Sequence, residues 1–583
     1  MTALDRLSAS AIAADVQAGR RSAAAVIEDV LARLDRYDAV QDAVWIARFD
    51  ATALRAAAAA IDARVARGEV LPLAGVPFAV KDNIDVAGLD TTAACPAFAY
   101  APARSAEVVE RLVAAGAIVI GKTNLDQFAT GINGTRSPYG IPRNAYNRAW
   151  ISGGSSSGSA VAVAAGLVAF ALGTDTAGSG RIPAAFNHLV GLKPSRGRWS
   201  SRGLIPACRT LDCITVMAGT VDDAALVDDL VAGFDVDDVF SRALPDVPRA
   251  TRRIGVPRVE QRAWFGDIES GFLYDTALAG LDAEIVEIDM APLAEAARLL
   301  YDGPWVAERT AAIRDFLKGQ PDAIHPVVRG IVEQGLSYSA VDVFTGTYRL
   351  AALARMAEAM WTDIDLLLLP TAPTSYRVSE MLAAPVALNA SLGTYTNFVN
   401  LLDMAAIAVP TGCHASGVGF GVTLIGPAGT DRALAAAAKT LFPAPASVPP
   451  LDLEGSMEKV RIAVVGAHLK DMPLHWQLTS REATFVGEAK TAPVYRLFAM
   501  AGSVPPKPAL IHDETGGAIA LEVYELDMAA FGSFVAEVPP PLAIGTVTLA
   551  DGSLVKGFVA EPRAMAGAED ITALGGWRAY IAR

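Results

Sequence analysis

Residues 153–188 constrain this chain more than any other stretch. They open Gly-Gly-Ser-Ser-Ser-Gly-Ser-Ala at 153–160 and pass to Gly-Thr-Asp-Thr-Ala-Gly-Ser-Gly-Arg-Ile-Pro at 173–183. Gly and Ser alone would read as a flexible linker. A linker is not followed by a long apolar segment that demands burial, and Ala160 to Leu172 is such a segment. The stretch therefore predicts two serine-bearing turns, at Ser155 and Ser179, joined by one buried element. A phosphate cradle is the rival, because backbone N–H groups opening a helix attract anions.

A serine hydroxyl is a poor nucleophile until a base takes its proton. No histidine precedes Ser179, and His188 runs into apolar Leu189-Val190, so a Ser-His-Asp arrangement lacks an obvious base. Lysine serves instead where burial lowers its pKa. Leu71–Val80 reads as a short apolar strand ending at Lys81, which sets that lysine where loops meet a rigid sheet. A surface ion pair with Asp82 or Asp85 is the plain alternative. The turn Thr176-Ala177-Gly178-Ser179 offers successive backbone N–H groups for an oxyanion hole, and Asp175 with Arg181 reads as an ion pair that fixes it.

Three motifs in order resemble the amidase signature family: Gly75-Val76-Pro77 leading to Val80-Lys81-Asp82-Asn83, then Gly153-Gly154-Ser155, then Asp175 to Ser179. The resemblance implies an α/β fold, a mixed sheet covered by helices, and a triad of Lys81, Ser155 and Ser179. Ser179 would be the nucleophile and Ser155 the relay after a cis peptide bond. Within that family, Gln127 to Gly140 (Gln-Phe-Ala-Thr-Gly-Ile-Asn-Gly-Thr-Arg-Ser-Pro-Tyr-Gly) is similar to the allophanate hydrolases. That likeness implies cleavage of allophanate to ammonia and carbon dioxide by way of a seryl acyl-enzyme and N-carboxycarbamate. It places Gly131 at the substrate pocket and Tyr301 and Arg309, eight positions apart, on a helix that closes it. A forked guanidinium suits a carboxylate better than an ammonium does. Gly393–Asn397 is a second candidate wall. Another small amide is the alternative substrate.

Gly116 to Thr123 satisfies the P-loop expression letter for letter. The expected strand, 117–120, lies between its glycines and a helix precedes them, whereas a P-loop needs strand, loop, helix. A helix–turn–strand unit is expected, with nucleotide binding kept as the rival from another class.

The net charge of −14 argues against nucleic acid, whose phosphates need a basic face. Four cysteines without metal spacing suit a reducing compartment. Met1 opens no basic-then-apolar leader and glycines break every long apolar run, so a cytoplasmic location and no membrane span are expected. No metal and no cofactor are expected, and a homodimer is. The chain has no Met-Lys-Met biotin acceptor, so a urea carboxylase, if linked, is expected to be a separate chain.

Helices are expected through residues 22–34 and 51–65, with buried strands at 363–370, 405–410 and 419–425 and a closing helix at 432–440. Phe442 to Pro450 carries four prolines and marks a stiff spacer. The expected division is an amidase domain over 1–441, a linker over 442–459 and a second domain over 460–583. Short runs at 460–465, 494–500, 518–526, 544–549 and 554–561, parted by Gly, Pro and Asp, predict a small β-rich α+β domain, a partly closed barrel. Val464-Val465-Gly466-Ala467-His468 and Leu474-His475-Trp476 resemble the C-terminal domain of allophanate hydrolases, itself similar to the gamma-glutamylcyclotransferase fold. The likeness makes His475 and His468 candidates for a second site that decarboxylates the amidase product; structural histidines are the alternative.

Overall fold

The computed structural model describes residues 5–443, 448–453 and 459–583. They form two compact units, residues 1–455 and 456–583. Part of the expected linker, 444–447 and 454–458, lies outside the described residues.

The first unit is built on one sheet whose strands are β1 Trp45–Arg48, β2 Pro77–Lys81, β3 Ile118–Thr123, β4 Phe170–Asp175, β5 Val190–Lys193, β6 Cys213–Ala218, β7 Arg253–Pro257, β8 Glu284–Ile288, β9 Leu366–Pro370, β10 Met404–Cys413 and β11 Gly419–Pro427. Their order is β1-β3-β2-β4-β6-β5-β10-β11-β9-β7-β8. β2 lies parallel to both neighbours, with Val80 opposite Lys122 and Leu172. From β4 through β6, β5, β10 and β11 to β9 every pairing is antiparallel, so the sheet is mixed. All of β2, β4, β6 and β9 is buried, as continuous apolar runs require when both faces are covered.

Helices cover the sheet. Ala23–Asp38 and Ala51–Ala66 start at Ser22 and Asp50, whose side chains accept the amides of Ala25 and Ala53; such caps satisfy donors that the first turn leaves open. The four-residue strand β1 between them escaped sequence analysis, being too short to show a period. The segment 160–172 is a correction. It is not one element but the end of the helix Ser157–Ala164, a turn, and the start of β4. Gly166 makes the turn at φ +67°, where a Cβ would lie 2.5 Å from the Asp5 carbonyl, so only glycine fits. At 116–123 the helix Glu107–Ala114 precedes β3, which contains Lys122. That lysine is buried against Asp82 at 3.2 Å, which leaves it no phosphate to hold.

In the second unit the strands are β12 Lys459–Val464, β13 Thr484–Lys490, β14 Tyr495–Ala499, β15 Pro508–His512, β16 Ala520–Asp527, β17 Leu542–Thr548, β18 Leu554–Ala560 and β19 Glu569–Asp570. Five pair in the order β13-β16-β12-β18-β17 and three in the order β15-β14-β19. The edges β13 and β17 meet at one end only. Ala492 N–H donates to the Thr548 carbonyl and Ala550 N–H to that of Lys490, both at 2.9 Å. The sheet is thus a barrel closed on one side.

Among the described residues no helix is long and apolar enough to cross a membrane.

Candidate active site

Lys81 ends β2 in the middle of the sheet and is fully buried. Its Nζ donates to Ser155 Oγ at 2.8 Å and to Thr174 Oγ1 at 2.6 Å. Among the described residues no carboxylate reaches it within ion-pair distance, in contrast to Lys122 on the adjacent strand. Removing an ammonium from water disfavours its charged form. Burial accordingly holds Lys81 down to about 7, against the opposite pull of Asp126, Asp212 and Asp175. The structure therefore excludes the plain alternative, a surface ion pair for Lys81.

The peptide bond Gly154–Ser155 is cis. The carbonyl of Ser155 accepts the Asp126 amide at 3.1 Å, which ties this turn to the loop that follows β3. Ser179 lies four residues beyond β4 and is 2% exposed. Its Oγ donates to the Gly131 carbonyl at 3.4 Å. Lys81 and Ser155 are in contact, while the Ser179 hydroxyl rests on Gly131 with no hydrogen bond to Ser155.

Asp175 organises the turn that carries Ser179. It accepts the amides of Gly178 at 2.8 Å and Gly180 at 3.2 Å, and the Arg181 guanidinium in a two-pronged pair at 2.9 and 3.0 Å. Gly178 is thus a correction: its N–H is spent on Asp175 and is not free for an oxyanion. The amides of Thr176, Ala177 and Ser179 have no acceptor among the described residues. Behind the turn, Thr396 Oγ1 donates to the Ala177 carbonyl at 2.6 Å and Asn400 Nδ2 to that of Asp175 at 2.7 Å. Gly178 sits at φ +119°, where a Cβ would come 2.5 Å from Thr396 Oγ1. The wall expected at 393–397 therefore supports the turn from behind through Thr396, while Gly393 and Asn397 line an open cavity.

Tyr301 and Arg309 do not share a helix, a third correction. The helix begins at Trp305 with Pro304 before it, because proline is at ease only in a first turn. Tyr301 stands in the preceding turn, and the two side chains still meet. Arg309 donates to Tyr301 Oη at 3.2 Å and lies over the ring at 4.9 Å. A third contact runs to Thr130 Oγ1 at 3.4 Å, and Nε has no partner. Arg309 is buried, and Glu308 binds Thr210 instead. Tyr301, Arg136, Asn389 and Gly393 line a cavity of about 610 Å³. Gly131, at φ +154°, lets Asp126 and Arg136 close in where a Cβ would be 2.6 and 3.2 Å from them.

In the second unit His468 lines a cavity of about 130 Å³ together with Gln477, Lys507 and Glu537. Its ring stacks on Phe558 at 4.9 Å and its Nε2 meets Gln477 Oε1 at 2.7 Å. Burial lowers its pKa. His475 lies outside that cavity, with Nε2 at 3.1 Å from Tyr524 Oη.

Residues 28–435 match the profile of the amidase family. The chain belongs to the amidase family. Residues 460–582 of this amidase match the allophanate hydrolase C-terminal domain. It is 44% identical over 546 residues to the urea amidolyase of Saccharomyces cerevisiae, an alignment covering 88% of this chain and 30% of that protein. The chain thus spans about a third of the length of the urea amidolyases it matches. A serine-to-alanine variant of the allophanate hydrolase of Kluyveromyces lactis superimposes with a TM-score of 0.71 at 40% identity, covering all of this chain and 99% of that one. A glutamyl-tRNA(Gln) amidotransferase component from Lacticaseibacillus paracasei is 32% identical over 70% of this chain and 91% of its own length.

Sequence reasoning did not reach four residues of the amidase site. Thr174 takes the second Lys81 bond. Asp126 accepts the amides of Asn133, Gly134 and Arg136 and so shapes the loop around Gly131. Asp212 accepts the Thr176 hydroxyl at 2.5 Å and the amides of Ala207 and Cys208, and burial pushes it up to about 6. Arg136 lines the cavity. Two carried a signal: Thr174 stands one residue before Asp175 in the glycine turn motif, and Arg136 lies inside the motif at 127–140.

Proposed function

We propose that this amidase hydrolyses allophanate, with Ser179 as nucleophile, Ser155 as relay and Lys81 as base. The observation that carries the reading is the buried Lys81, with no carboxylate in ion-pair distance among the described residues, donating to Ser155 at 2.8 Å. Such an amine loses its proton near neutrality and can then take one from a hydroxyl.

A turn of the Ser179 side chain away from Gly131 brings its hydroxyl to Ser155. Ser179 Oγ then attacks the terminal amide carbonyl carbon while its proton passes to Ser155 and the Ser155 proton to Lys81. The amides of Thr176, Ala177 and Ser179 receive the oxyanion. The nitrogen takes the proton back from the relay and leaves as ammonia. Water repeats the path and frees Ser179, releasing N-carboxycarbamate, which loses carbon dioxide. Arg309 and Tyr301 hold the carboxylate end. The 40% identity to an allophanate hydrolase across nearly its whole length supports this choice of substrate, and a link to a urea-carboxylating enzyme belongs to the same reading. For the second unit we infer a gamma-glutamylcyclotransferase-like fold, supported by its one-sided barrel, and decarboxylation in the His468 cavity, where Lys507 offers a cation to a dianionic product.

The test is ammonia release from allophanate against propionamide; faster hydrolysis of propionamide would sink the substrate assignment. Two further results are expected. Arg309→Lys, which loses the fork, raises KM for allophanate roughly 10- to 100-fold with a smaller change in kcat. A base of pKa about 7 makes kcat/KM climb with pH through about 7 and level above it, since the ammonium that dominates below cannot accept a proton. A rising limb centred near the ordinary lysine value would refute Lys81 as the base.

A further inference from the structure

The cavity that reaches Tyr301 is lined by a buried guanidinium, that of Arg136, with Arg298 and Asp302 also on its wall. Arg136 is 1% exposed and takes part in no ion pair among the described residues. Its two terminal nitrogens donate to main-chain carbonyls, Nη1 to Thr130 at 2.9 Å and Nη2 to Pro385 at 2.6 Å. Its Nε is buried with no partner. Neither carbonyl neutralises it. The nearest organised carboxylate, Asp126, is engaged by three backbone amides, one of them that of Arg136 itself. Arg136 and Arg309 approach Thr130 from two sides, one binding its carbonyl and the other its hydroxyl. The next residue, Gly131, holds the Ser179 hydroxyl. Asp126 offsets part of the Arg136 charge from a distance; burying a guanidinium with no carboxylate in contact still costs free energy, a cost offset when an anion fills the adjoining space.

We propose that Arg136 is a specificity-determining residue: its charge, held by no carboxylate in ion-pair contact, favours an anionic amide over a neutral one at the Thr130-Gly131 segment on which the Ser179 hydroxyl rests. The inference rests on the allophanate reading and adds a second cation to it. Arg309 grips the carboxylate, and Arg136 sets the potential through which the anion enters. In a low-dielectric wall such a charge acts over several ångströms without direct contact.

The experiment compares allophanate with biuret, its neutral isostere, in wild type, Arg136→Gln and Arg136→Lys, with melting temperatures alongside. Arg136→Gln is expected to lower kcat/KM for allophanate at least about tenfold, mostly through KM, and to lower the allophanate-to-biuret ratio of kcat/KM by at least about fivefold. Arg136→Lys keeps the charge but loses the two-carbonyl clip, so its melting temperature drops while its allophanate-to-biuret ratio stays within about threefold of wild type. Equal losses on both substrates in Arg136→Gln would mean that the residue is only a clip and would overturn the proposal. Should Arg136→Gln not fold, Arg136→Lys decides: a retained ratio upholds the charge, a collapsed ratio overturns it. If wild type releases no ammonia from allophanate, the functional reading falls and takes this inference with it; if wild type is active and Arg136→Gln keeps its preference, this inference falls alone.

Discussion

Ser179→Ala is expected to lower ammonia release from allophanate by at least about 10³-fold while leaving the fold intact. Removing a nucleophile that acts as one unit with its base costs nearly the whole contribution of that unit. The substitution deletes one hydroxyl whose single contact is a 3.4 Å bond to a carbonyl, so little stability depends on it. Binding should survive, because Arg309 and Tyr301 are untouched. A variant that binds allophanate but releases no ammonia, neither as a burst nor at steady state, is the expected result. Wild-type turnover in Ser179→Ala would remove the nucleophile assignment outright.

Lys81→Met is expected to abolish turnover and at the same time to stabilise the first unit. Its folded pKa of about 7 lies well below the roughly 10.4 of an unfolded chain. The unfolded state therefore binds the extra proton between those values, and stability of the wild type rises with pH across that window. Below about pH 7 the full cost of burying the ammonium is present. Each pKa unit is about 1.4 kcal/mol, so the gain in Lys81→Met reaches about 4 kcal/mol at and below neutrality. The unpartnered hydroxyls of Ser155 and Thr174 reduce it. The gain should shrink as pH rises and vanish above about 10.5. Urea melts of both proteins at pH 6.5 and 9.5 measure this; a variant less stable than wild type at pH 6.5 would show that Lys81 holds the fold together and is not a strained base.

The apolar runs at 405–410, 419–425 and 363–370 named three strands of the large sheet because strands covered on both faces admit nothing else. The residues of the proposed triad were legible because glycine turns and a strand-end lysine are local. What escaped is what only tertiary contact creates. Asp126 and Asp212 look like ordinary loop carboxylates until the amides they accept are folded over them. Asn400 serves the Ser179 turn from 225 residues away, which no spacing announces, and the wall expected at 393–397 gave no sign that Thr396 would brace that turn. The placing of Tyr301 and Arg309 on a shared helix failed on Pro304, which starts a helix readily and left Tyr301 outside it. Gly178 was assigned as an oxyanion donor from its place in a glycine turn. Its neighbour Asp175, three residues back, claims that amide instead.

The bonds from Thr396 and Asn400 to the carbonyls of Ala177 and Asp175 also bear on how this chain can be divided. Lys81, Ser155 and Ser179 all lie within the first 180 positions, yet a fragment ending before 396 would hold those side chains on a loop with its rear scaffolding gone. The donors for charge developing at the scissile carbon would then drift independently of the serine they must serve. Truncation from the C-terminal side is therefore tolerable only down to the sheet strands that follow Asn400, and a split enzyme would regain activity only when both pieces are supplied together.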